Sequence, residues 1–208
     1  MALPDREASG LARIMSETPD PNNAASPLDI SGNRAARKWS KRELLGRFAW
    51  EWLGAIVFAL TPRPLWGVRR AILRAFGAKI ARGVHIFPTV RIFIPWNLSM
   101  GRFSSLGDRV IVYNLGPVTI EERVTVSQNA HLCAGSHDYA SKTFDLLKPP
   151  ISIGDEAWIC ADAFVGPGVT IGRGAIVAAR AVVVKDVAVA AMVAGNPAAF
   201  VKQLPDRK

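Results

Sequence analysis

The side chains best suited to chemistry in this chain are three histidines, His85, His131 and His137, and two cysteines, Cys133 and Cys160. An imidazole titrates near neutrality and can take a proton from a hydroxyl at physiological pH. Three of them could instead gather a metal ion, and a thiolate could serve as a nucleophile. The cysteines are too few for a disulfide framework and lack metal-ligand spacing, which points to a reducing, cytoplasmic setting. Each follows an aliphatic residue (Leu132, Ile159) with no convincing base beside it, so both read as packing residues.

The elements that must position these side chains follow a period of six. Ile153, Ile159, Val165, Ile171, Val177, Val183 and Val189 are evenly spaced, and the fourth residue after each of the first six is small or β-branched, from Ala157 to Val187. A helix repeats at 3.6 and a plain strand at 2, so neither demands a strict six. A prism-shaped parallel β-helix does, with each short strand and corner using one hexad and its coils stacked at the usual strand spacing. Earlier blocks share the pattern: Ile80, Ile86, Ile92 and Leu98; Met100, Leu106 and Val112; Ile120, Val126 and Leu132. Steps of two residues at Leu98/Met100 and Val118/Ile120 are expected to be bulges or corner loops.

The largest break follows His137, where residues 138–150 ignore the period. Such an insertion in a solenoid is functional or disordered. Phe144, Leu146, Leu147 and two prolines favour an ordered arm packed on something, an adjacent subunit being one candidate. All three histidines hold the last, outward place of a hexad, so position alone does not choose among them; His137 stands at the mouth of the insertion. His85 and His131 read as surface histidines. A metal reading needs three converging imidazoles, yet His131 and His137 are six apart, on different prism faces, with no acidic or thiol ligand in step.

Residues 1–37, rich in Pro, Ser, Asn, Asp and Ala, are expected to form a disordered tail without a secretory signal. Residues 38–77 read as a helical segment, 78–202 as the β-helix domain with its inserted loop, and 203–208 as a C-terminal tail. Within the helical segment, the apolar run 48–60 is too short to span a bilayer. It either packs on its own fold or a neighbouring subunit, or lies in a membrane interface anchored by Trp50, Trp52 and flanking cations. A second helix, 65–76, ends at Gly77. The net charge of +9 points to anionic partners, but no nucleic-acid-binding signature accompanies it.

Taken together, Val126-Ser-Gln-Asn-Ala-His-Leu-Cys-Ala-Gly-Ser-His137-Asp-Tyr, Ile151-Ser-Ile-Gly-Asp-Glu-Ala-Trp158-Ile, Val165-Gly-Pro-Gly-Val-Thr-Ile-Gly172, Val183-Val-Lys185-Asp186-Val and Val193-Ala-Gly-Asn-Pro197-Ala resemble the left-handed β-helix acetyltransferases of hexapeptide repeats. The colanic acid biosynthesis branch is the nearest, with the galactoside, maltose and nodulation-factor O-acetyltransferases as broader relatives. The resemblance covers about residues 50–202. It implies a mainly β fold, a cytoplasmic homotrimer with sites in the clefts between β-helices, and transfer of acetyl from acetyl-CoA to a sugar or glycolipid hydroxyl in exopolysaccharide or lipid-linked oligosaccharide synthesis. It makes His137 the general base, with Trp158, Ala161, Ala179 and Lys185 at the cofactor cleft, Asn114 near the acceptor, and no metal. Departures from the pattern are Cys160, Ala178 and Glu121 where Gly is usual, Ala188–Ala191 in place of a proline-containing stretch, and Ala199-Phe200 where a basic residue is common. If that basic residue reads a CoA phosphate, Lys202 or Arg207 must substitute, or the affinity for CoA is lower. A metal hydratase like the γ-class carbonic anhydrases and a non-catalytic β-helix scaffold are the alternatives.

Overall fold

Six-residue periodicity becomes a three-sided stack of coils in the computed structural model, which describes residues 27–205. The first face holds Lys79–Ile80, Leu98–Met100, Val118–Ile120, Ile151–Ile153 and Thr170–Ile171 in parallel register. The second holds His85–Ile86, Ser105–Leu106, Thr125–Val126, Trp158–Ile159, Ile176–Val177 and Ala191–Ala194, closed by an antiparallel strand, Ala199–Gln203. The third holds Arg91–Ile92, Ile111–Tyr113, His131–Cys133, Phe164–Val165 and Val182–Val183. Every coil visits the faces in this order, and the core is a column of aliphatics such as Ile86, Leu106, Val126, Ile159 and Val177.

Of two expectations about phase, the corner loops are found and the inward place of Val189 is corrected. The two extra residues fall in the corners before the first face, where Ile92 reaches Leu98 through a short helical turn (Pro95–Asn97); Leu98 and Met100 then both point inward from one three-residue strand, as do Val118 and Ile120. Ile151 and Ile153 repeat the arrangement. At the other end, Val189 is exposed and breaks the inward series. The Asp186 carboxylate accepts from Thr170 N at 2.7 Å, Val187 bridges to Ile171 and is buried, and the chain then turns through Ala190 at φ 52°. Corners close on left-handed residues. On the edge between the second and third faces these are Arg109, Asn129, Asp162 and Arg180, where glycine would be the unstrained choice.

The open end of the first coil is capped by helices. After α1 (Ile30–Ala35), helix α2 (Lys41–Ala49) starts at a reciprocal cap between Ser40 and Glu43. It runs through a π turn (Trp50–Gly54) into α3 (Ala55–Leu60). Trp50, Gly54 and Phe58 form the buried side of this run, and the Trp50 indole N–H donates to Ile92 O at 2.7 Å. Helix α4 (Trp66–Ala75) lies over the coil edge, where unpaired carbonyls would otherwise stand. Arg69, Arg70 and Arg74 donate to the carbonyls of Ile86, Val84 and Ile80 respectively. Gly77, at φ +88°, ends the helix as expected.

Residues 27–36 and 138–145 form a separate compact unit from residues 37–137 and 146–205. In the smaller one, α1 is capped by Asp29, whose N–H donates to Lys142 O. The Asn33 carboxamide donates to the carbonyls of Thr143 and Phe144. Within the segment expected to be a tail, residues 27–36 thus carry a side-chain cap and hydrogen bonds to residues 142–144 of the same chain. The rest of that expectation, residues 1–26, lies outside the described residues.

Candidate active site

His137 sits on the edge between the third and first faces, where the regular turn is replaced by a hairpin. Ser136–His137 pairs antiparallel with Leu146–Leu147, and His137 stands opposite Leu146. Its side chain is exposed. Beyond the hairpin the arm returns along its own chain: Lys148 places its ammonium 3.5 Å from the centre of the Trp39 ring and donates to Lys38 O at 3.0 Å. Burial lowers the Lys148 pKa, Glu43 opposing that shift and Arg47 adding to it.

Of the other two histidines, His85 is exposed as expected and His131 is not. His85 stacks on Trp66 at 4.6 Å and an interplanar angle of 18°. His131 points outward, yet its ring is set edge-on between Tyr113 (6.4 Å) and Phe164 (5.3 Å). Its Nε2 is shielded from solvent and, among the described residues, has no hydrogen-bond partner. Burial lowers its pKa and favours the neutral ring. Among the described residues no three His, Cys, Asp or Glu side chains converge as a metal site would require. Burial raises the thiol pKa values of Cys133 and Cys160, a backbone hydrogen bond of Gly135 partly offsetting this at Cys133, so neither holds a reactive thiolate near neutrality.

Trp158 projects from the second face between Thr125 and Ile176 and is 46% exposed. Its indole N–H donates to Ser127 Oγ at 2.9 Å, which fixes the ring's orientation. Ala161 and Ala179 occupy successive corners on the edge between the second and third faces, stacked through Arg180 N donating to Ala161 O at 2.9 Å. The preceding corners on that edge carry Asp108 and Gln128; where alanine replaces them the backbone is uncovered. Such a strip fits a long, narrow ligand arm, and the cations Arg180 and Lys185 are exposed nearby in sequence. Lys185 lies on the edge that carries His137. One chain thus divides the expected site residues between two edges of the prism.

Asn114, expected near the acceptor, lies on the edge between the third and first faces that also carries His137. Asn114 is fully buried; its Oδ1 accepts from Phe93 N and Ile94 N, and its Nδ2 donates to Ile94 O. Its carboxamide oxygen and one of its two N–H groups hold that turn. Lys202 lies on the terminal strand opposite Met192, and Arg207 is outside the described residues. Ser127 and Arg180 were not singled out by sequence. Ser127 is recognisable only once the coil register brings it to Trp158, and Arg180 only through its corner beside Ala179.

Residues 150–185 match the bacterial transferase hexapeptide (six repeats) pattern. The Escherichia coli K12 protein named "Putative colanic acid biosynthesis acetyltransferase WcaF" is 39% identical over 175 residues, 84% of this chain and 96% of its own length. The chain belongs to the hexapeptide-repeat acetyltransferases. In overall structure this acetyltransferase resembles a maltose O-acetyltransferase from Clostridium difficile 630 (TM-score 0.72, 21% identity, covering 80% of this chain and 90% of the other). It also resembles a hexapeptide-repeat acetyltransferase from Vibrio cholerae O1 biovar eltor, complexed with acetyl-CoA (TM-score 0.71, 24% identity, covering 80% and 91%). The fold is accordingly the left-handed parallel β-helix, with a short helical N-terminal region.

Proposed function

We propose that this acetyltransferase moves an acetyl group from acetyl-CoA to a hydroxyl of a sugar or glycolipid acceptor, in exopolysaccharide or lipid-linked oligosaccharide synthesis, with His137 as general base. The observation that carries the reading is the placement of His137: an exposed imidazole on a hairpin that opens where the coils are interrupted. Acetyl-CoA supplies the acetyl thioester. His137 takes the acceptor's hydroxyl proton as that oxygen bonds to the thioester carbonyl, and the sulfur leaves with a proton returned. Trp158 walls the pantetheine, the backbone at Ala161 and Ala179 receives its arm, and Lys185 meets a phosphate as a point charge. The similarity to WcaF supports the polysaccharide setting.

Because the base and the alanine strip stand on different edges, a complete site draws on two protomers, and a homotrimer supplies three such clefts. The third face supports this assembly: Phe93, Tyr113, His131 and Phe164 form an outward column of half-buried rings suited to a subunit contact. The proposed setting is the cytoplasm, peripheral to the inner membrane; no helix among the described residues is long and apolar enough to cross a bilayer. The test is acetyl transfer over a panel of sugar acceptors with wild type and His137→Ala, alongside light scattering for the trimer. Undiminished turnover by the variant overturns the assignment of the base.

A further inference from the structure

The run α2–π turn–α3 has two apolar sides. Its inner side packs Trp50, Gly54 and Phe58 on the fold. Its outer side, where a surface helix carries polar residues, presents Leu45, Phe48, Trp52, Leu53, Ile56 and Leu60, and Leu60 is 77% exposed. Contiguous exposed hydrophobics on this scale mark an interaction surface.

Charge identifies the partner. Residues 37–76 contain nine Lys and Arg against two Glu and so carry most of the chain's net charge of +9. Neither glutamate is uncommitted: Glu51 lies 3.7 Å from Arg47, and Glu43 closes the Ser40 cap. Lys41 and Arg42 stand exposed where the run begins, and Arg63 is exposed just past its end. A second copy of this surface would bring the same cations against themselves. An anionic lipid surface accepts both features, the apolar side chains entering the headgroup boundary and the cations meeting phosphates.

We propose that the outer face of residues 41–60 is a docking surface for an anionic bilayer, which holds the enzyme flat against a membrane where a lipid-carried acceptor resides. This deepens the peripheral placement proposed above and does not depend on the base assigned to His137.

The test sediments the full chain with phosphatidylcholine vesicles, with and without phosphatidylglycerol. Wild type is expected to bind the phosphatidylglycerol vesicles, more weakly as salt rises. L45E/L53E is expected to lower that binding by at least about tenfold. K41E/R42E is expected to lower it by about fivefold or more per cation removed, only on the anionic vesicles. Thermal melting and acetyl transfer to a soluble acceptor remain at wild-type level in both variants, since all four side chains are exposed. Absence of wild-type binding to anionic vesicles overturns the proposal, and so do variants that sediment like wild type. Dissociation of the oligomer by L45E/L53E, with no vesicle binding by wild type, assigns the face to a subunit contact and also overturns it. Loss of acetyl transfer by wild type with vesicle binding intact refutes the proposed activity and leaves the docking surface standing.

Discussion

The indole N–H of Trp158 donates to the hydroxyl of Ser127, one coil below on the same face, at 2.9 Å. The ring is about half exposed, so packing alone does not hold it. Ser127→Ala removes the bond and adds nothing, which frees the ring without unfolding the coil. The expected outcome is a two- to fivefold rise in KM for acetyl-CoA, from a net hydrogen bond of about 1 kcal/mol, with kcat nearly unchanged. Trp158→Ala is expected to raise KM further, and Lys185→Ala to raise it in a salt-dependent way. Steady-state kinetics across acetyl-CoA concentrations checks all three.

His137→Ala and His137→Asn are expected to lower kcat by about a hundred- to ten-thousandfold, the usual contribution of a positioned general base. KM for acetyl-CoA is expected to change little, because the base acts on the acceptor. His137 is on a surface hairpin, so thermal melting of both variants should match wild type. A fall in kcat accompanied by a lower melting temperature would instead mark the histidine as structural.

Why the fold was legible and parts of the site were not follows from range. The hexads Ile153 to Val183 each record one strand and one corner, so their period carries the coil directly. The step from Leu98 to Met100 breaks the period because two extra residues turn the corner at Pro95–Asn97, and only the register of Ile80 with Met100 locates them there. The hold of Asn114 on Ile94 is hidden in the sequence because the twenty residues between them are one coil and not a motif. Ser127 and Trp158 are separated by the insertion itself, which hides their register until the chain is folded. The apolar run 48–60 leaves both packing and membrane contact open by composition, since apolar content does not say which side is covered.

Arg69 is fully buried, and its guanidinium donates to the carbonyls of Ile86, Thr61, Pro62 and Arg63 and to Thr61 Oγ1, stacked 4.7 Å from the centre of Trp66. A methionine keeps the unbranched stem and loses every donor, which leaves several buried carbonyls without partners. Arg69→Met is expected to cost about 2–5 kcal/mol. Arg69→Lys should recover only part of this, because one ammonium cannot span the fork of acceptors. Chemical denaturation monitored by tryptophan fluorescence measures both.

His131 sets a pH limit on stability. Its pKa lies below the ordinary value of 6.5 because burial disfavours the imidazolium between Tyr113 and Phe164. In the unfolded chain the ring titrates normally. Above that ordinary value both states hold it neutral, and the residue makes no difference to folding. As pH falls below it, the unfolded chain takes up the proton first, and stability declines until the folded ring also titrates. His131→Phe keeps an aromatic ring in the column and removes the proton site. The expected result is a melting temperature that falls less steeply than wild type between about pH 6.5 and pH 5, with the two proteins closest above neutrality. Melting curves at stepped pH, in buffers of equal ionic strength, check this; parallel slopes for the two proteins would show that the acid sensitivity arises elsewhere.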